Sequence, residues 1–191
     1  MTNKEKRLLE IISKLAYQYS PTPKYKLASG KISHYYIDCK SVIMSPDGLI
    51  LCGQVIFEKI QELNIDAIGG LEFGAIPIAL SAVIFAYQNG IKIKPFVVRK
   101  QEKNRGLIKS IEGKIEENDR VIIVEDVITS GTSALMAAER VKEKGAKIIK
   151  VVALVDRVEG GMEALQKNDI ELDAIFKLND LNKHLGISET N

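Results

Sequence analysis

The sequence contains no tryptophan, and only two cysteines and two histidines occur among its 191 residues. Cys39 and Cys52 form no CxxC pair and have no neighbouring cysteine or histidine, so we expect reduced structural thiols rather than a zinc site. No apolar run approaches the roughly 20 residues of a membrane span, and the charged N-terminal segment lacks a signal-peptide core. These absences predict a cytoplasmic protein that has no membrane partner.

Two common nucleotide-binding signatures are also missing, namely the GxGxxG of dinucleotide folds and the GK[ST] ending of a P-loop. The net charge is only +2, yet seven basic residues and one acid lie between Lys92 and Lys109. Such a concentration of charge requires an anionic partner or a solvated loop. Because the loop part of the segment, from Arg99 onwards, has no interleaved aromatic residues for base stacking, a polyphosphate is favoured over nucleic acid.

The most informative stretch is Val121–Ser133, followed by an alanine-rich run from Ala134 to Lys144. Its β-branched residues predict a buried strand, and the alanine-rich run, closed by a glycine, predicts a helix. The loop between them would offer backbone N–H groups and hydroxyls to a phosphate at a helix N-terminus. Glu125 and Asp126 suit ribose hydroxyls or Mg²⁺ and its waters, although an acidic N-cap region before an ordinary helix is the alternative.

The run VIIVEDVITSGTS resembles the phosphoribosyl pyrophosphate (PRPP) binding motif of the type I phosphoribosyltransferases. The resemblance implies that Glu125 and Asp126 face the ribose hydroxyls while the loop after them binds the 5′-phosphate. The residues that it assigns to the loop are Val127, Ile128, Thr129, Ser130, Gly131, Thr132 and Ser133.

A second resemblance lies in the basic segment, where an apolar strand precedes the pattern Arg-Lys-x-x-Lys-x-x-Gly. It is similar to the mobile catalytic loop of orotate phosphoribosyltransferases, placed at about 99–113, which grips the leaving pyrophosphate. This similarity implies pyrophosphate binding by Arg99, Lys100 and Lys103, with a solvated basic loop as the alternative. Arg105 stands where the family usually has histidine; it keeps a cationic donor but does not titrate near neutral pH.

The loop Gly70–Ala75 repeats the strand, loop and helix arrangement of the central motif. In the family this loop binds pyrophosphate through backbone amides, which implies roles for Phe73 and Gly74. A plain turn between a strand and a helix would look much the same. Gly74 stands where many members have lysine, and Ala28 also departs from the commonest pattern.

The segment at about 20–45 contains two short strand-like pieces around a Ser-Gly-Lys turn, and it resembles the hood that covers the pyrimidine in orotate phosphoribosyltransferases. By this match, Lys31 through Tyr36 and Ile37 lie over or near the base, with Lys31, Tyr36 and Ile37 assigned to orotate binding. The alternative is that the tyrosines pack against the first helix. Arg157 follows a later strand, where the family's arginine binds the orotate carboxylate, and Thr129 is the remaining residue assigned to orotate.

The order of predicted elements indicates an α/β fold with a doubly wound, mainly parallel sheet of the type I phosphoribosyltransferase kind and a small N-terminal hood. We expect residues 1–191 to form a single domain. The predicted helices include Asn3–Tyr19, Asp47–Leu63 and Ile76–Gln88, with Pro77 in the first turn of the last one.

The resemblance implies transfer of ribose 5-phosphate from PRPP to orotate, with Lys103, Glu125 and Asp126 as the catalytic residues. It also implies a homodimer with shared active sites, and Mg²⁺ that is held mainly through PRPP and waters rather than by a dedicated protein site. Two alternatives stay open at this point. One is a phosphoribosyltransferase for another base, and the other is a PRPP-binding regulator without catalysis.

Overall fold

The computed structural model describes residues 1–26, 30, 32–100 and 110–187. Within these ranges the chain forms seven helices and ten strands. The helices are α1 (Asn3–Leu15), α2 (Lys40–Ile43), α3 (Pro46–Ile60), α4 (Glu72–Gln88), α5 (Thr132–Lys142), α6 (Gly161–Gln166) and α7 (Leu178–His184). The strands are β1 (Tyr17–Tyr19), β2 (Tyr25–Lys26), β3 (Ile32–Ser33), β4 (Tyr35–Ile37), β5 (Ala67–Leu71), β6 (Lys94–Val98), β7 (Ile111–Gly113), β8 (Arg120–Ile128), β9 (Lys147–Asp156) and β10 (Leu172–Lys177).

The main sheet has six strands in the order β10-β9-β8-β5-β6-β7. Every neighbouring pair is parallel except β6 and β7, which are antiparallel. This arrangement confirms the predicted α/β fold with a mainly parallel sheet. The predicted basic loop at about 99–113 is too long at its end, because its last three residues form the edge strand β7. No extended hydrophobic run in the sequence indicates this strand.

Strand β8 lies between two hydrophobic cores. Ile122 and Val124 pack into the core that contains α1, α3 and α4, whereas Val121 and Ile123 pack into the core formed with α5. All four side chains are fully buried. Because successive residues of a strand point to opposite faces, a continuous β-branched run is what a sheet covered on both sides requires.

Side-chain caps stabilise the N-termini of α1 and α3. Thr2 and Glu5 form a reciprocal capping box before α1, in which each side chain accepts a hydrogen bond from the other residue's backbone N–H. Ser45 caps α3 by accepting from the N–H of Gly48, and Pro46 occupies the first helical turn, where its missing N–H costs nothing.

The N-terminal hood consists of two small antiparallel pairs, β1 with β4 and β2 with β3. The β2–β3 pair confirms the predicted hairpin. The first helix is shorter than expected, since it ends at Leu15 and Tyr17–Tyr19 pairs with β4 instead. Edge pairing with a strand about twenty residues away therefore overrides the helical spacing of this segment.

The junction between β5 and α4 also differs from the prediction, because it contains almost no loop. Strand β5 runs to Leu71 and α4 begins at Glu72, so Pro77 lies inside the helix rather than in its first turn. The glycines that suggested a loop serve close packing instead: a Cβ at Gly69 would lie 2.1 Å from the carbonyl oxygen of Phe96. Among the described residues, no helix has the length and apolar character needed to span a bilayer.

Candidate active site

The candidate site lies where the chain reverses its direction of travel across the sheet. From β5 the chain moves to β6 on one side, whereas β8 on the other side leads on to β9. In open α/β sheets, ligands bind beyond the carboxyl ends of the strands at such a switch point. The ends of β5, β6, β8 and β9 all meet at this edge, so residues distant in sequence come together there.

The loop after β8 has the geometry of an anion-binding turn. Gly131 has φ +79° and precedes the first residue of α5, so the backbone turns sharply into the helix. The hydroxyls of Ser130 and Thr132 are 2.9 Å apart, and residues 127–134 line a small cleft with Glu125. Helix α5 thus begins two residues earlier than predicted and brings Thr132 and Ser133 into its first turn, where the N–H groups are free to bind an anion.

Helix α6 supports this loop from behind through a contact that only glycine permits. A Cβ on Gly161 would lie 2.3 Å from Cγ2 of Ile128, 2.6 Å from the carbonyl oxygen of Thr129 and 3.2 Å from the nitrogen of Gly131. Two of these three atoms belong to the backbone of the loop. The position of the anion-binding turn is therefore fixed by direct backbone packing against the start of α6.

The two acids at the end of β8 are buried and close together. Glu125 is 6% exposed and Asp126 is 7% exposed. A Cβ at Gly74 would lie 2.7 Å from Asp126 Oδ1 and 2.9 Å from Glu125 Oε1, so the two carboxylates fill the space in which a side chain at position 74 would begin. Asp126 Oδ1 accepts from the N–H of Val127 at 2.9 Å, whereas Glu125 Oε2 has no partner among the described residues. A buried oxygen without a partner is suited to a ligand hydroxyl.

Burial and the neighbouring charge of Asp126 raise the pKa of Glu125 from its ordinary 4.5 to about 9. Burial also raises the pKa of Asp126. The pair therefore holds a proton to higher pH than two separate, solvated carboxyls would, because two buried carboxylates this close together resist ionising together. A protonated carboxyl keeps the pair near a single negative charge.

This proton makes the folded state sensitive to pH. Because the folded protein holds the Glu125 proton more tightly than the unfolded chain, the stabilisation is complete below pH 4.5 and is lost as the pH rises towards 9. We expect Glu125→Gln to remove this dependence, so the melting temperature of the variant rises relative to wild type as the pH increases. Thermal denaturation in steps from about pH 5 to pH 9 measures the difference. Glu163→Gln, an exposed glutamate on α6, serves as the control, and a constant difference between Glu125→Gln and wild type contradicts the prediction.

The start of the basic segment is tied to the β5–α4 junction. Glu72 has φ +38°, and its Oε1 accepts from the backbone N–H of Lys100 at 2.6 Å. Arg99 Nη1 lies 3.5 Å from Glu112, and Arg99 Nε is buried without a partner in the described part of the chain. Arg99 and Lys100 are therefore held beside α4, close to the half-exposed Phe73. Lys103 and Arg105 lie outside the described residues.

Arg157 occupies the end of β9, where it meets the hood. Its guanidinium is 6% exposed and its Cζ lies 5.2 Å from the ring centroid of Tyr35. Its Nη2 is 2.8 Å from Glu159 Oε1, and Tyr35 donates its hydroxyl to the same oxygen at 3.2 Å. The contact between Nη2 and Oε1 is an ion pair that does not have hydrogen-bond geometry. Neither Nε nor Nη2 makes a hydrogen bond within the described residues. A buried cation that is ion-paired with Glu159 but lacks hydrogen bonds at Nε and Nη2 is thus presented at this edge.

The remaining hood residues have different surroundings. Tyr36 is 39% exposed and stacks on Tyr25 at a centroid distance of 6.2 Å, whereas the side chain of Ile37 is buried in the main core. Lys31 lies outside the described residues. Tyr35, which lies within the predicted range Lys31–Tyr36 but was given no role of its own, is the hood residue in the described part of the chain that contacts Arg157.

The sequence patterns gave no prediction for two residues at the site, Glu72 and Glu159. No sequence pattern indicates the positive φ of Glu72. Glu159 looks in the sequence like an ordinary surface acid before a glycine, so its contact with Arg157 could not be predicted. Among the described residues, no three His, Cys, Asp or Glu side chains are grouped to hold a metal ion. The carboxylates of Glu125 and Asp126 nevertheless supply the hard oxygen ligands that suit Mg²⁺ waters.

The turn after β8, the two buried acids and the adjacent Arg99 and Lys100 at one switch point are the features expected of a type I phosphoribosyltransferase. The family model for the phosphoribosyl transferase domain matches residues 41–181. The chain is 42% identical over 181 residues to the orotate phosphoribosyltransferase of Aquifex aeolicus, with 95% of this chain and 98% of that protein covered. The chain belongs to the orotate phosphoribosyltransferase family.

Solved structures agree with this assignment. A crystal structure of Mycobacterium tuberculosis H37Rv orotate phosphoribosyltransferase gives a TM-score of 0.80 at 30% identity and covers 93% of this chain and 98% of that one. The structure of the same enzyme in complex with PRPP gives a TM-score of 0.75 at 28% identity, with 94% and 99% covered.

Proposed function

We propose a residue-level account of the orotate phosphoribosyltransferase activity that this chain has in UMP biosynthesis. The reaction moves ribose 5-phosphate from PRPP to orotate, giving orotidine 5′-monophosphate and pyrophosphate. The observation that carries the account is the joint presence, at one sheet edge, of an anion-binding turn after β8 and the buried guanidinium of Arg157 after β9. One binds a phosphate and the other a carboxylate, which are the two anionic ends of this substrate pair.

PRPP is seated over the end of β8. Its 5′-phosphate binds the N–H groups and hydroxyls of residues 129–133, and its ribose hydroxyls donate to Glu125 and Asp126. The unpartnered Glu125 Oε2 supports this arrangement, because a ligand hydroxyl would satisfy it. The acids also place negative potential beside the ribosyl carbon, which becomes cationic in the transition state.

The pyrophosphate leaves towards the β5–α4 junction. Backbone groups at Phe73 and Gly74 border this region, and the hydrogen bond from Lys100 to Glu72 keeps the start of the basic segment beside it. Arg99, Lys100, Lys103 and Arg105 neutralise the leaving group as its charge grows. Mg²⁺, held through PRPP and waters near Glu125 and Asp126, supplies further charge neutralisation when bound.

Orotate binds between the hood and the end of β9. Arg157 takes its carboxylate, Thr129 borders the base from the phosphate loop, and Lys31, Tyr36 and Ile37 belong to the segment that covers it. A planar guanidinium fork is matched to a carboxylate in a way that a lysine is not. This feature favours orotate over a base that lacks an acidic group.

The chain forms a homodimer in this account, and the exposed face of α4 supports it. Leu80, Ile84 and Tyr87 are spaced along one side of the helix and are 47%, 56% and 70% exposed. Such a stripe on a helix that is apolar on every face needs a partner, and a second copy is the one expected. The dimer lets Lys103 act in the neighbouring site. A solution mass of one subunit at micromolar concentration would contradict this.

The remaining proposals concern the domain organisation of the chain and its cellular location. We propose that residues 1–191 act as a single domain, with a hood at about 20–45 and a catalytic loop at about 99–113, of which the last three residues form β7. We also propose that the protein works in the cytoplasm, without nucleic acid or membrane partners. The two free, buried thiols of Cys39 and Cys52 are consistent with a reducing compartment.

The loss of orotate absorbance in the presence of PRPP and Mg²⁺ tests the account directly. We expect rapid turnover in wild type, its loss on chelating the metal, and a decrease of at least about 10²-fold in Lys103→Ala, because a charge opposite the leaving group is removed. Lys114→Ala is the matched control, since this lysine is 77% exposed and pairs only at the surface.

The outcome also separates the alternatives. Turnover of another base in place of orotate would indicate a different specificity, and PRPP binding by calorimetry without turnover would indicate a regulator. The family relationship favours neither of these alternatives. A Lys103→Ala variant as active as Lys114→Ala would remove the proposed role of the basic segment.

A further inference from the structure

The partner of Arg157 in the ligand-free protein is an acid from the same turn. Glu159 Oε1 lies 2.8 Å from Arg157 Nη2, and it also accepts from the hydroxyl of Tyr35 at 3.2 Å. The Arg157 side chain is 6% exposed and cannot recover its hydration, so the charge of Glu159 compensates it. This compensation is incomplete, because Nε and Nη2 of Arg157 have no hydrogen-bond partner in the described part of the chain.

The two members of this pair differ in their freedom to move. The side chain of Glu159 is 26% exposed, more than four times the fraction of Arg157. It stands in a short turn between β9 and α6, flanked by Val158 at φ +56° and Gly160 at φ +93°, and a Cβ at Gly160 would meet nothing within 4 Å. Glu159 can therefore turn its carboxylate to solvent without disturbing the core, whereas Arg157 cannot leave.

We propose that Glu159 is a specificity-determining residue that acts as an internal substitute for the substrate's carboxylate. Glu159 neutralises Arg157 while the site is empty and gives up its place when a pyrimidine carboxylate arrives with better geometry. This inference rests on the proposed role of Arg157 in binding orotate. A base without a carboxylate would have to leave the pair of Glu159 and Arg157 intact, so it gains nothing from the guanidinium.

The exchange has two consequences of opposite sign. Removing the charge of Glu159 leaves a buried cation uncompensated, so the ligand-free protein loses stability. The same change removes the internal competitor, so the affinity for an anionic base increases. A residue that merely holds Arg157 in place would instead lower both quantities when it is replaced.

Glu159→Gln separates these readings, because glutamine keeps an acceptor for Tyr35 and loses only the charge. At saturating PRPP and Mg²⁺ we expect the KM for orotate to fall about threefold to fivefold, as for a partly exposed ion pair, with kcat within about twofold. Inhibition by uracil, which has no carboxylate, should be unchanged, and the ligand-free melting temperature should be lower than wild type. An unchanged or higher KM for orotate overturns the proposal.

Three companion variants keep the result interpretable. Glu163→Gln, an exposed glutamate on α6, should match wild type in every measurement. Glu159→Asp shortens the reach to Arg157 and should shift the KM for orotate in the same direction but less, which covers the case that the glutamine variant does not fold. If Arg157→Ala leaves the KM for orotate unchanged, the proposed role of Arg157 fails; if it raises the KM while Glu159→Gln does not lower it, only the present inference fails.

Discussion

Arg157→Ala is expected to raise the KM for orotate about 10²- to 10³-fold, because truncating one side of a buried charge pair costs several kcal/mol of binding. The Arg157 side chain is 6% exposed, and Nε and Nη2 make no hydrogen bond within the described residues although Nη2 is ion-paired with Glu159, so the guanidinium meets a substrate carboxylate with little competition from water. PRPP binding should stay within about twofold of wild type, since the phosphate turn belongs to a different strand end.

Steady-state kinetics with each substrate varied in turn measures this split. Arg157→Lys retains the charge but lacks the planar fork, so we expect a KM for orotate between those of the alanine variant and wild type. Lys167→Ala, at the exposed end of α6, controls for the loss of a cation near this part of the surface. Equal losses of PRPP and orotate binding would show that Arg157 acts through the fold rather than through the base.

Gly161→Ala is expected to lower kcat/KM for PRPP by about 10²-fold, the cost typical of a 1 Å displacement of a positioning group. The new Cβ would lie 2.6 Å from the carbonyl oxygen of Thr129, which belongs to the backbone and cannot rotate away. The phosphate turn must therefore move. Overpacking of this kind should also cost about 1–3 kcal/mol of stability, although alanine at a helix start is normally favourable.

Met162→Ala is the matched control for this variant, because Met162 is the next residue of α6 and is 36% exposed. We expect nearly wild-type kinetics from it. Titration with inorganic phosphate, followed by protection against thermal unfolding, reports on the turn independently of catalysis. Wild-type affinity for PRPP in Gly161→Ala would mean that the turn tolerates displacement, and the packing argument would then be wrong.

The central motif could be predicted from sequence because its signals are local. A β-branched run, two acids, small hydroxylated residues and a glycine follow one another within thirteen residues of the chain, and β8, the turn and α5 follow in the same order. The α/β class was predictable for a similar reason, since strands followed directly by helices recur at β5–α4, β8–α5, β9–α6 and β10–α7. Only the bounds of α5 differed: it begins at Thr132, because Gly131 caps the helix earlier than the alanine pattern suggests, and it ends at Lys142 rather than Lys144.

The rest of the site depends on contacts that no local pattern encodes. Tyr35 and Glu159 are 124 positions apart, yet they share a hydrogen bond beside Arg157. Gly69, Gly70 and Gly74 predicted a loop, but they are small because other groups approach them closely. The backbones of Phe96 and Val124 approach the first two, and the carboxylates of Glu125 and Asp126 approach Gly74. Glycine carries both meanings, a turn and a close approach, and only the tertiary structure separates them.

The division of β8 between two hydrophobic cores has a consequence for how the family's chain length varies. Inserting or deleting a single residue between Arg120 and Val124 would exchange the inward and outward sides of the strand, so both cores would lose their partners at once. Glu125 and Asp126 would turn with it, away from Gly74. The packing of β8 in both cores therefore fixes the orientation of the two acids. Insertions and deletions should be confined to turns such as the exposed one at Glu116–Asn118, before the strand begins.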